Sequence, residues 1–234
     1  MANLRQLTTF LFAVLLIIAH LSSSPSEAEP PATTRLPSYA NVCDQNWADR
    51  AYELTLFSCS QVLRLDPKNA KALLNRGRAY LGLREYRLAE YDLNRANSIL
   101  TNQIDSHHAN AVTYYLRALV RRTLSNSEGA LTDVTTAIKI DPHFLDAFVL
   151  RAYIYVGDFL DDARAEADYS SAISLDPSIS PTYAGRGIVR LNQEKYEGAI
   201  SDFDRALQDN PFDKLLNGYR IDACRKLPSH CKDE

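Results

Sequence analysis

The sequence predicts an all-α fold, a solenoid of helix hairpins, and three observations carry the prediction. Prolines close successive units at Pro142, Pro177 and Pro211, 35 and 34 residues apart, with Pro67 closing an earlier one. Taking the closing proline as unit position 32, small residues recur at position 8 (Gly77, Ala118, Ala152, Gly187), position 20 (Ala89, Ala130, Ala165, Ala199) and position 27 (Ala96, Ala137, Ala172, Ala206). Position 24 is larger each time, as Leu93, Val134, Tyr169 and Phe203. The fourth unit carries one extra residue in its inter-helix turn, so its second helix is counted back from Pro177.

Residues 182–211 show the physics of one unit. Two helical patterns face each other across a turn near Asn192 and Tyr196, and Pro211 cannot continue the second helix because it has no N–H to donate. Small side chains at positions 8, 20 and 27 let neighbouring axes approach, and the larger residue at 24 fills the space between hairpins. From Cys43 to Pro211 this pattern resembles the tetratricopeptide repeat family. The resemblance implies a right-handed superhelical solenoid. It departs from the family pattern at the start of the first helix, where the usual Trp is Leu73, Tyr114, Phe148 and Tyr183. It departs again at position 11, where Arg121 and Arg190 replace Tyr and read as tolerated variation.

In chain order, residues 1–28 read as a signal peptide: Arg5 supplies a positive start, residues 7–21 are almost unbroken apolar sequence, and Ser26-Glu27-Ala28 offers a cleavage site. An apolar run this short falls below the roughly 20 residues of a membrane span, though an uncleaved anchor is the alternative. Residues 29–45 are Pro-rich and read as a flexible arm. Residues 46–67 form a half repeat in which residues 46–65 read as one helix, with Ala51, Leu54, Phe57, Val62 and Leu65 as the buried stripe. Full repeats follow at 70–101, 111–142, 145–177 and 180–211, the first with helices expected over 70–83 and 86–98. Residues 212–234 read as a C-terminal capping helix and a disulfide-closed tail, since a solenoid needs its last open face covered.

An exported chain oxidises its thiols, so the four cysteines are expected as two bridges. Three pairings are formally possible. Local pairing, Cys43 with Cys59 and Cys224 with Cys231, is expected because the ends of a solenoid lie apart. Net charge is −3 with both signs interspersed, which leaves no electrostatic footprint for nucleic acid. The adjacent His107 and His108 lack the companions of a metal site and read as a solvated loop or a longer helix start. No catalytic or phosphate-cradling motif is present, so no enzyme activity, cofactor or metal is expected.

Arg recurs at position 7 (Arg76, Arg117, Arg151, Arg186) and Asp at position 23 (Asp92, Asp133, Asp168, Asp202). A catalytic constellation occurs once; a structural device recurs. The pairs therefore read as charge-assisted hydrogen bonds within each hairpin. The resemblance implies that each unit's first helix lines the inner surface. The candidate peptide-binding groove is then Lys71, Leu74, Asn75, Arg78, Tyr115, Leu116, Leu119, Arg122, Val149, Leu150, Tyr153 and Ile188, with the apolar strip read either as groove or as core. Chaperone-binding members of the family grip a carboxylate with Lys and Arg at positions 2 and 6; here only Lys71 and Asn75 resemble part of that clamp. The function expected is an exported, periplasmic or secreted, non-enzymatic interaction module or scaffold for a protein or peptide partner. The membrane would be engaged only through an uncleaved N-terminal segment. The alternatives are a membrane-anchored structural subunit, and a ligand-binding or enzymatic protein using the groove near Tyr115, Tyr153 and Arg122.

Overall fold

Helix starts and stops along the chain are set by capping side chains and by prolines that cannot donate. The computed structural model describes residue 39 and residues 41–44 and 51–231; the expected signal segment lies outside these. Among the described residues there is no strand. Residues 41–44 are helical, and α1 (Tyr52–Leu65) follows, ending at Asp66-Pro67. Asn69 caps α2 (Ala70–Gly82) by accepting from the Ala72 N–H at 2.9 Å. Next come α3 (Tyr86–Asp105) and α4 (Ala111–Thr123), the latter opened by a capping box in which Asn110 and Thr113 satisfy each other's backbone N–H. Asn126 caps α5 (Ser127–Ile140), and Asp161 caps α7 (Asp162–Leu175). Between them lies α6 (Leu145–Ile154), and beyond them α8 (Ser180–Asn192), with a proline in its first turn, and α9 (Tyr196–Leu207). Asp213 caps α10 (Lys214–Lys226). No helix among the described residues is long and apolar enough to cross a membrane.

The turn inside each hairpin is the same device. One residue adopts the left-handed conformation (Arg84, Ser125 and Glu194, at φ 63°, 62° and 59°), and the next N–H reaches back five residues, as Glu85 N does to Tyr80 O. These are Schellman-type closures made without glycine. The extra residue of the fourth unit is absorbed where α6 runs into a π-turn, Tyr155–Phe159. Leu160 then takes the left-handed position and Asp161 N reaches back six residues to Tyr155 O.

Packing follows the small-residue ladder. Ala89, Ala130, Ala165 and Ala199, and likewise Ala96, Ala137 and Ala172, have no exposed surface. A Cβ on Gly187 would stand 2.8 Å from the Phe203 ring, and one on Gly77 would stand 2.9 Å from Leu93 Cγ. The larger residue at position 24 therefore occupies the space the glycine leaves. The last hairpin is covered by α10, whose Leu216, Tyr219 and Ala223 pack on Ala199, Ile200 and Phe203.

Several sequence expectations are corrected. α1 does not run as one helix from residue 46, because Ala51 is non-helical (φ −80°, ψ 65°). Its buried face is Thr55, Ser58, Cys59, Val62 and Leu63, whereas Leu54, Phe57 and Leu65 are about half exposed. Cys59 on that face is bonded to Cys43, and both cysteines are buried. α3 runs seven residues beyond 98, so the segment before the third unit is a helix C-terminus, closed by His107 in the left-handed conformation and His108 N reaching back to Gln103 O. A second disulfide joins Cys224 to Cys231.

Candidate functional site

Arg–Asp pairs hold the hairpins in register. Arg117 donates from Nε to Asp133 Oδ2 (2.9 Å) and from Nη2 to Asp133 Oδ1 (2.8 Å), and the same fork recurs at Arg76–Asp92, Arg151–Asp168 and Arg186–Asp202. The spare Nη1 often reaches the preceding unit, as Arg76 does to Ser60, Arg117 to Thr101 and Arg186 to Ser170. The side-chain hydrogen bond to the aspartate is the main cause raising the Arg76, Arg151 and Arg186 guanidiniums above their ordinary range. The arginines at position 11 are more than tolerated variation. Arg121 and Arg190 each place Nη1 2.9 Å from the same aspartates, Asp133 and Asp202.

The candidate groove residues divide into three sets. Leu74 (1% exposed), Asn75 and Leu150 (5% exposed) are buried, which corrects their assignment as lining. Asn75 is covered because residues 41–44 lie over it: Asp44 Oδ1 accepts from Asn75 Nδ2 at 2.8 Å and Asp44 Oδ2 from Lys71 Nζ at 2.6 Å. The half-clamp at Lys71 and Asn75 is thus already holding a carboxylate of the same chain. A second set, Arg78, Tyr115, Leu116, Leu119 and Arg122, is half-buried. Burial is the main cause pushing the Arg78 guanidinium down to about 10 and the Tyr115 phenol up to about 12. Tyr115 packs on Phe144 with ring centroids 4.9 Å apart, and Arg122 Nε donates to Asp158.

The third set lines an open cavity of about 530 Å³ between α6, α7, α8 and α10. Tyr153, 48% exposed, and Ile188 stand in its wall; Val149 packs nearby without lining it. Sequence reading missed the rest of the lining, notably Tyr169, Pro181, Gly185, Leu215 and Leu216. Tyr169 meets Tyr153 edge-on at 6.1 Å, and its ring lies across Gly185, where a Cβ would stand 2.6 Å from Cζ. Burial is the main cause raising the Tyr169 hydroxyl above its usual range. Two signals were present in the chain: a hydroxyl-bearing residue at position 24 of one unit alone, and a mid-helix glycine at position 6. Most of the wall is apolar, with Ser180, Asp209, Asn210 and Asp213 as its polar members. Among the described residues no three His, Cys, Asp or Glu side chains gather as a metal-binding set.

No protein-family model matches the chain. It is 27% identical over 192 residues to the DnaJ protein P58IPK homolog A of Oryza sativa subsp. japonica, a match taking in 75% of this chain and 39% of that protein. It is 28% identical over 112 residues to human tetratricopeptide repeat protein 6, covering 47% of this chain and 22% of that one. The chain thus spans well under half the length of these curated relatives. Among solved structures, a thermophilic tetratricopeptide-repeat protein of Thermus thermophilus superposes with a TM-score of 0.62 at 17% identity, over 81% of this chain and 99% of that one. The helix hairpins, the ladder of small residues and this superposition agree: the chain has the fold of a tetratricopeptide-repeat solenoid and is similar in sequence to proteins that carry such repeats.

Proposed function

We propose that this chain is a non-enzymatic interaction module that binds a peptide or helix of a protein partner in the cavity between α6, α7, α8 and α10. One observation carries the reading: about 530 Å³ of open, mostly apolar space, bounded by first helices of two units and by the capping helix. That volume is in the range of roughly 300–1,000 Å³ typical of ligand sites. Half-exposed Tyr153, backed by Tyr169, offers the aromatic surface that anchors binding elsewhere. Export belongs to the same proposal. The two disulfides support an oxidising compartment.

A photo-crosslinking residue placed at 153 should trap a partner in extracts of the native compartment, while one at exposed Tyr91 on α3 should not. Trapping at 91 alone would overturn the assignment of the surface. N-terminal sequencing of the mature protein is expected to start near Glu29, and recovery of intact Met1 would overturn cleavage.

A further inference from the structure

The cavity is apolar on its wall and acidic at one edge. Asp209 and Asp213 line it, and among the described residues no lysine, arginine or histidine does. Asp213 Oδ1 is engaged as the cap of α10, accepting from Leu215 N and Leu216 N at 3.0 Å each. Asp209 accepts from the Ser180 hydroxyl. Neither carboxylate has a cationic partner among the described residues, although most aspartates facing the hairpin cores do. Asp209 also sits just past the end of α9, where unpaired helix carbonyls add to the negative potential and favour a cation.

Resting on the interaction reading above, we infer that the occupant is a peptide segment in which a bulky apolar residue is flanked by lysine or arginine. The apolar side chain enters against Tyr153 and Ile188, and the cation stands against Asp209 and Asp213. An acidic segment is disfavoured by the same geometry, because its carboxylates would meet Asp209 and Asp213, neither of which is paired with a cation among the described residues.

The test uses the full oxidised chain and five labelled, amidated peptides: acetylated Gly-Ser-Lys-Leu-Phe-Lys-Gly-Ser, the acetylated versions with Glu for both Lys, with Gln for both Lys and with Ser for Leu and Phe, and the first sequence with its amino terminus left free. Fluorescence anisotropy at low salt should place the first tightest, by about tenfold over the acidic peptide, with the gap narrowing as salt is added. The double variant Asp209→Asn with Asp213→Asn retains the helix cap, since Asn caps as well as Asp. It should lose the preference for the basic peptide, while an uncharged version with Gln for both Lys binds as before. Tyr153→Ala should weaken every peptide carrying Leu-Phe.

Equal affinity for the basic and acidic peptides would overturn the inference and leave the cavity as a binding site. Binding unaffected by Tyr153→Ala, or no binding of any peptide, would overturn the interaction reading itself. Tight binding only when the amino terminus is left free would assign the carboxylates to a terminal ammonium instead. Self-association that Tyr153→Ala abolishes would give the cavity to a second copy of the chain.

Discussion

Tyr169 lies so close across Gly185 that a Cβ on the glycine would stand 2.6 Å from the phenol Cζ and 2.8 Å from its hydroxyl. One wall of the cavity therefore depends on a hydrogen at that place. Gly185→Ala should force the ring aside and cost about 1–3 kcal/mol through overpacking, read as a lower denaturation midpoint and weaker partner capture. Among the described residues nothing lies within 4 Å of the Cβ position of Gly218 in α10. There the same change should stabilise the protein by about 0.5–1 kcal/mol, the helix-propensity difference alone. Equal effects at the two sites would contradict the packing.

The Arg–Asp forks permit a double-mutant cycle, and the second arginines decide where to run it. At Asp133 the cycle is contaminated, because Arg121 remains after Arg117 is removed. No second arginine bridges to Asp168 among the described residues, and both Arg151 and Asp168 are mostly buried. Asp168→Ala should cost about 3–5 kcal/mol by stranding Arg151. Adding Arg151→Ala should recover part of that loss, so strict additivity would deny the interaction.

Leu150 and Tyr153 lie three residues apart on α6 and should respond oppositely to truncation. Leu150 is 5% exposed, so Leu150→Ala should cost about 2–5 kcal/mol in denaturant unfolding. Tyr153 is half exposed and loses chiefly its edge-on pairing with Tyr169, about 0.5–1.5 kcal/mol. Binding should follow the reverse order once each variant is assayed well below its melting temperature.

Glu194 holds a left-handed conformation (φ 59°) that costs a side-chain-bearing residue roughly 1–2 kcal/mol. Glycine relieves this but adds entropy to the unfolded chain. Glu194→Gly should therefore raise stability by about 0.5–1 kcal/mol, visible as a higher urea midpoint. A drop would mean that the turn gains more from the glutamate than it loses in strain.

The Cys43–Cys59 bridge fixes the segment that carries Asp44. Replacing both cysteines with serine should cost about 3 kcal/mol in the chain-entropy account. It should also make the Lys71 amine react faster with an acylating reagent, since Asp44 no longer holds it. Unchanged Lys71 reactivity would show that Asp44 stays in place without the bridge.

What the sequence alone determined was whatever repeats. Proline spacing, small residues at positions 8, 20 and 27, and the recurring Arg and Asp specify hairpins and their register, because each is a local or nearest-neighbour requirement met in every unit. Residues that break the pattern took their meaning from tertiary contacts. Arg121 and Arg190 looked like tolerated departures until the hairpin brought them to Asp133 and Asp202. Leu150 and Tyr153 both sat in the expected groove, and only neighbouring helices decided that one is core and the other open. The cavity itself was illegible in advance, since it needs Tyr169 from α7, Gly185 from α8 and Leu216 from α10, which meet only after the last unit is capped. Periodicity encodes how one unit sits on the next, whereas a site assembled from four helices depends on the space their unlike side chains leave between them.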